Sequence, residues 1–211
     1  MKKTLKIMAL IMSLVLIVSI LAGCGAKTTD NGTQKNEEKA LEIERGTWNE
    51  NVYTNEFAKI KFQLPEGWEA SNDEEIAKMM NVGTEMLNSD QQQLSKIAEQ
   101  TSLYDMVVND PATGASVMVM FEKPTLKVNM DFYMNQLKTG LEQVDSINYT
   151  IGDVTTETVS GQEYTVLTAT VPDYSMVQKY YVRQEGNYFI DVLVTYIDGL
   201  TELDTILSNF Q

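Results

Sequence analysis

The stretch EYTVLTATVPDYSMVQKYYVRQEGNYFIDVLVTY, residues 163–196, decides the fold. Three runs rich in β-branched and aromatic residues, 163–171, 176–183 and 188–196, are parted by Pro172-Asp173 and by Glu185-Gly186-Asn187. Short runs of this kind, divided by turn residues, read as antiparallel strands joined by tight connections. A weaker run at 153–159, closed by Ser160-Gly161, predicts a fourth strand in front of them.

Working toward the N-terminus, Met130, Tyr133, Met134, Leu137, Leu141 and Val144 recur at helical spacing behind Asn129, which predicts a capped helix over 130–144 lying on the sheet. Before it, Leu103–Asn109 and Ser116–Glu122 read as strands flanking the turn Asp110-Pro111-Ala112-Thr113-Gly114. A short helix is predicted over 90–100, with Leu94, Ile97 and Ala98 as its apolar side. Ser71 and Glu74 suggest a capping box for a helix that carries Ile76, Met79, Met80, Val82 and Met86. Residues 57–64 alternate apolar and polar as a strand with one packed face, and Pro65-Glu66-Gly67 ends it. Downstream, Thr201 and Asp204 predict a cap for a last helix bearing Leu203, Ile206, Leu207 and Phe210. Consecutive strands outnumber helices too far for a doubly wound parallel sheet. The expected class is α+β, a largely antiparallel β-sheet covered by helices.

The chain opens with MKKTLKIMALIMSLVLIVSILAGC, residues 1–24. Lys2, Lys3 and Lys6 precede an apolar run over 7–22, the build of an export leader. Leu21-Ala22-Gly23-Cys24 resembles the lipobox of bacterial lipoproteins. That resemblance implies a signal peptide over 1–23, lipidation of the Cys24 thiol, and attachment to the extracytoplasmic face of the cell membrane through acyl chains, each buried methylene being worth about 0.8 kcal/mol. Residues 24–46 are polar and poor in large apolar side chains, and are expected to form a flexible tether. Residues 47–211 are then a single domain.

Composition narrows the chemistry. The 211 residues hold 16 basic and 30 acidic side chains, no histidine and one cysteine, Cys24. Three of the basic residues belong to the leader, and residues 47–211 keep nine basic against 25 acidic. That balance repels nucleic acid. Without histidine there is no Ser-His-Asp or Cys-His relay, and the usual nitrogen and sulfur ligands for zinc are missing. No Gly-rich phosphate loop or EF-hand spacing occurs, so neither a cofactor nor a dedicated metal site is expected.

Three acidic residues, Asp105, Glu163 and Asp191, interrupt apolar strands. Paired carboxylates would suit a glycan hydrolase, whereas for Asp191 a structural role is expected: accepting a hydrogen bond or marking a partly wet strand face. Lys179, Tyr181 and Arg183 alternate along one strand, share a face, and are candidates to meet an anionic group. Trp48, Tyr53 and Trp68 are candidates for contact with a partner or ligand.

The segments Trp48-Asn49-Glu50-Asn51-Val52-Tyr53-Thr54-Asn55 and Phe62-Gln63-Leu64-Pro65-Glu66-Gly67-Trp68, with the ending 203–210, resemble the α/β/α sandwich of PsbP-like proteins. The opening is also similar to that of lipoproteins of Gram-positive gut bacteria. The resemblance implies an architecture and transfers no active residue. The reading that follows is a noncatalytic, membrane-anchored extracytoplasmic module binding a protein, peptide or envelope component. A carboxylate-dependent glycan hydrolase and a small-molecule binding lipoprotein are the alternatives.

Overall fold

The computed structural model describes residues 43–211. The expected signal peptide, Cys24 and most of the expected tether lie outside the described residues. Among the described residues no helix is long and apolar enough to cross a membrane.

Among the described residues ten strands and five α-helices form an α+β fold in which every strand pair is antiparallel. Strands β1 (Thr47–Asn49), β2 (Val52–Asn55) and β3 (Ile60–Gln63) make a small sheet. The large sheet has the order β4-β5-β6-β10-β9-β8-β7. Its members are β4 (Glu69–Ala70), β5 (Leu103–Asn109), β6 (Ser116–Glu122), β7 (Thr150–Val159), β8 (Gln162–Val171), β9 (Met176–Glu185) and β10 (Tyr188–Ile197). Hairpins join β5 to β6 and run from β7 through β10, and the helical residues 71–102 link β4 to β5. One return connection carries the chain from β6 to β7 at the far edge, since β10 pairs with β9 on one side and with β6 on the other.

The predicted first strand is shorter than its alternation suggested. Lys59 takes a left-handed backbone (φ 48°) that ends the turn before β3, and Phe57, in that turn, sends its ring against Phe121 and Tyr188. Within β3 the alternation holds, with Ile60 and Phe62 buried and Lys61 exposed.

The helix expected behind Ser71 begins one residue later. Asn72 caps α1 (Asp73–Met80): its side chain accepts from the Glu75 amide at 3.1 Å, and the Glu75 carboxylate accepts from the Asn72 amide at 2.9 Å. The apolar pattern through Met86 is divided between α1 and α2 (Thr84–Leu87), since Asn81 turns left-handed and closes α1. Asp90 caps α3 (Gln91–Gln100), and Asn129 caps α4 (Met130–Glu142) as its sequence predicts. At the other end α5 (Leu203–Leu207) follows Glu202 without a side-chain cap; the Thr201 hydroxyl is buried with no hydrogen-bond partner, so the expected Thr201–Asp204 cap does not form.

Two layers cover the central strands. On one face α4 lays Tyr133 over Phe189, the rings stacked with centroids 4.0 Å apart. On the other face the turn before β3 and the small sheet close over Phe121, Tyr188 and their neighbours. All eight residues from Tyr188 to Thr195 in β10 are consequently buried.

The domain also begins earlier than composition indicates. Ile43 is fully buried, and Arg45 and Gly46 bond to β5, so residues 43–46, expected in the tether, belong to the folded body. Their polar sequence gives no sign of this because their partners, Asp105, Asp73 and Asn55, stand elsewhere in the chain.

Candidate functional site

Two buried carboxylate centres stand on opposite sides of the large sheet. The first is Asp105. The β5–β6 register shifts between Tyr104 and Met106, which leaves Asp105 at a bulge. Its carboxylate accepts from Arg45 Nε at 3.2 Å, from the Gly46 amide at 2.9 and 3.1 Å, from Asn55 Nδ2 at 2.6 Å, and from the Tyr53 hydroxyl. Arg45 also reaches Asp73 at 2.9 Å. Burial pushes the Asp105 carboxyl up, and its donors and the guanidinium draw it back. Every partner presents a hydrogen, an environment that fits the ionised form. Asp105 thus fastens the entering chain, β2 and α1 to the large sheet.

The second centre lies under α4. Phe189 is opposite Glu122 and Asp191 is opposite Met120, so alternation brings both acids to the face that α4 covers. The Tyr133 hydroxyl oxygen is 2.9 Å from Glu122 Oε2 and 2.5 Å from Asp191 Oδ2. Ser102 donates to Glu122 Oε1 at 2.5 Å. Asp191 Oδ1 is buried with no hydrogen-bond partner. Burial holds the Asp191 carboxyl well above the usual carboxylate range, and the charge of Glu122 adds to this. Glu122 is also raised by burial, with Ser102 and Tyr133 acting in the opposite direction. The Tyr133 phenol is raised further still by burial and by both acids. Asp191 is therefore a hydrogen-bonding structural residue as expected, but the partly wet strand face is a misreading: α4 shuts out water there.

Replacing Tyr133 by Phe keeps the ring stack on Phe189 and removes the shared hydroxyl. The loss should cost about 1–3 kcal/mol through unpaired buried acceptors. Chemical denaturation of Tyr133→Phe checks this.

The predicted basic and aromatic patch is assembled but spent. Lys179, Tyr181 and Arg183 do share a face, yet each is nearly or fully buried. Lys179 Nζ lies 2.6 Å from Glu157, and the Tyr181 hydroxyl donates to the same carboxylate at 3.1 Å. Arg183 pairs with Glu185 at 3.1 Å and donates to the Ala58 carbonyl. Glu157 comes from β7 and Ala58 from the loop before β3, neither of which strand periodicity identifies, while Glu185 stands two residues beyond Arg183 on β9 itself. The patch is an internal clamp, not an open anion site.

Tyr53 is fully buried against Asp105 and cannot be a partner contact. Trp48 lies opposite Tyr53 across the β1–β2 pair, ring centroids 5.5 Å apart, and is half-buried. Trp68 is also half-buried against the core, after a turn in which its amide donates to the Pro65 carbonyl at 3.1 Å and Gly67 takes φ 84°. Glu163 sits on β8 with its side chain exposed and joins neither centre. Sequence reasoning missed Arg45, Asn55, Ser102, Glu122 and Tyr133. A signal existed for Glu122, which ends the apolar run of β6, and for Tyr133, whose hydroxyl lies within an otherwise apolar helix stripe. Among the described residues no group of three or more acidic, cysteine or histidine side chains is arranged to hold a metal ion.

No protein-family model matches the chain, and no curated protein matches it. Among solved structures it is similar to cyanobacterial PsbP (CyanoP) from Synechocystis, with 14% identity and a TM-score of 0.46 over 85% of this chain and 97% of that one. The likeness carries no residue role across.

Proposed function

We propose that the chain is a lipid-anchored, noncatalytic extracytoplasmic module that binds a protein, peptide or envelope component. The observation that carries this reading is that the chemistry-bearing side chains of the domain serve its own interior. Asp105 is consumed by four donor groups, and the Lys179–Arg183 face is consumed by Glu157, Glu185 and Ala58. Glu122 and Asp191 stand close enough to meet one phenol oxygen, but they are 9% and 4% exposed under α4. A glycan hydrolase would need such a pair open to a sugar. Among the described residues the exposed large apolar side chains lie elsewhere: Leu126 and Phe132 around the start of α4, Val154 on the edge strand β7, and Tyr174 and Leu200 near the far ends of β8 and β10. These are the surface positions that suit a partner contact.

The address rests on Leu21-Ala22-Gly23-Cys24 after the apolar run. Cys24→Ser should abolish acylation on intact-mass analysis and move the protein from the membrane fraction to the medium. Unchanged acylation or unchanged membrane retention overturns the anchor. Crosslinking capture of the tagged lipoprotein from membranes should return a specific partner. Turnover of cell-wall glycan by the purified protein, with no partner captured, overturns the binding reading.

A further inference from the structure

The Tyr133 hydroxyl oxygen is within hydrogen-bond distance of two carboxylate oxygens, yet a phenol has one proton to give. If Tyr133 donates to Glu122, the contact of 2.5 Å to Asp191 needs a hydrogen on Asp191. If it donates to Asp191, the contact of 2.9 Å to Glu122 needs a hydrogen on Glu122. Among the described residues no lysine or arginine pairs with either acid. The titratable groups facing the pair from the surrounding elements are Tyr104 on β5, Tyr180 on β9 and Tyr133 on α4, all ordinarily neutral. Two carboxylates left charged in this space would repel each other with nothing of opposite sign to offset the loss of water.

We infer that Glu122 and Asp191 form a buried proton-binding site that holds one shared proton at neutral pH, and that loss of this proton loosens α4 from the sheet. The proton completes the chain Ser102–Glu122–Tyr133–Asp191. Glu122 receives a second hydrogen from Ser102, whereas Asp191 Oδ1 has no partner, so the negative charge is better held on Glu122 and the proton on Asp191, whose O–H donates to Tyr133 while Tyr133 donates to Glu122. Deprotonation places a second negative charge beneath Tyr133 and against Phe189, the ring pair through which α4 is seated. The helix is then a latch, closed at acidic and neutral pH and strained at alkaline pH.

The sign of the pH dependence follows. A carboxyl raised on folding binds its proton more tightly in the folded state, so its contribution is complete below the unfolded value of about 4 and is lost as pH rises through the folded value. For one proton the unfolding constant should grow by up to about tenfold per pH unit across that window. Asp191→Asn places an amide N–H where the carboxyl O–H stood, so it mimics the protonated state. Its profile should be flat over the same window.

The test measures denaturant unfolding of the full chain in detergent from pH 5 to 9, with Asp191→Asn and Glu122→Gln alongside. The unaltered chain should lose stability with rising pH and Asp191→Asn should not. Protection factors of α4 amides relative to those of β9 should fall with pH only in the unaltered chain. An infrared carbonyl band from a buried protonated carboxyl should be present at neutral pH and absent in Asp191→Asn; this readout on the unaltered chain holds even if a variant does not fold. Superimposable pH profiles, or no such band at neutral pH, overturn the proposal. Stabilisation by added calcium chloride at neutral pH that Asp191→Asn abolishes would assign the site to a cation and overturn it as well.

Discussion

Asp105→Ala should destabilise the protein by about 3–5 kcal/mol, the range for removing one partner of a buried, hydrogen-bonded ion pair. The carboxylate is the common acceptor for Arg45, Gly46, Tyr53 and Asn55. Without it the Tyr53 hydroxyl and the Asn55 amide, both fully or nearly buried, lose that acceptor. Arg45 keeps Asp73, whose side chain is 40% exposed and a weaker substitute than a buried carboxylate. The stability of an ordinary domain is about 5–15 kcal/mol, so this loss is a large share of it. Denaturant titration gives the magnitude. Amide exchange gives the location: residues 43–55 should lose protection before β9 and β10 do, because the centre joins the N-terminal segment to a sheet that is otherwise held by its own ladder. Equal loss of protection throughout would mean that Asp105 supports the whole fold and is not a local fastening.

The contrast between Asp105 and Asp191 shows what was legible in the sequence. Both stood out as acids within apolar strands, and both are buried. The pairings that decide their chemistry were invisible. Arg45 and Gly46 lie 60 and 59 positions from Asp105, and Tyr133 lies 58 from Asp191, separations at which local periodicity says nothing. The strands of the large sheet were legible because two buried faces demand continuous apolar runs and turns demand Gly, Pro, Asn or Asp. Strands β5 and β6 carry the predicted bounds, and β8 to β10 are longer than predicted by one or two residues. The small sheet was less legible, since β2 and β3 are four residues each and their pairing depends on a left-handed Lys59 that no propensity favours. The basic face on β9 failed for a related reason. Alternation correctly put Lys179, Tyr181 and Arg183 together, but exposure is set by what lies above a strand, here the Ala58 carbonyl and the edge-strand acid Glu157.

Phe62→Ala should cost about 3–5 kcal/mol, the range for emptying a buried aromatic site. Phe62 is fully buried and stands in the small sheet, where its ring meets Phe210 edge-on with centroids 4.9 Å apart. The two residues also form an antiparallel bridge, flanked by bonds from the Gln63 amide to the Asn209 carbonyl and from the Gln211 amide to the Lys61 carbonyl, both 2.9 Å. The C-terminal residues therefore extend the small sheet by one short step, and their backbone bonds depend on the ring pair to keep them in register. Removing the Phe62 ring creates a void that close-packed neighbours cannot fill without moving their own elements. Truncation after Leu207 removes the same ring pair from the other side along with both backbone bonds, so it should destabilise by a comparable amount. Adding Phe62→Ala to the truncated chain should then cost less than it does in the full chain, because the contact is already gone. Additive losses in the double variant would show instead that Phe62 acts through the packing of β3 on the large sheet, with the C-terminal closure as an independent element.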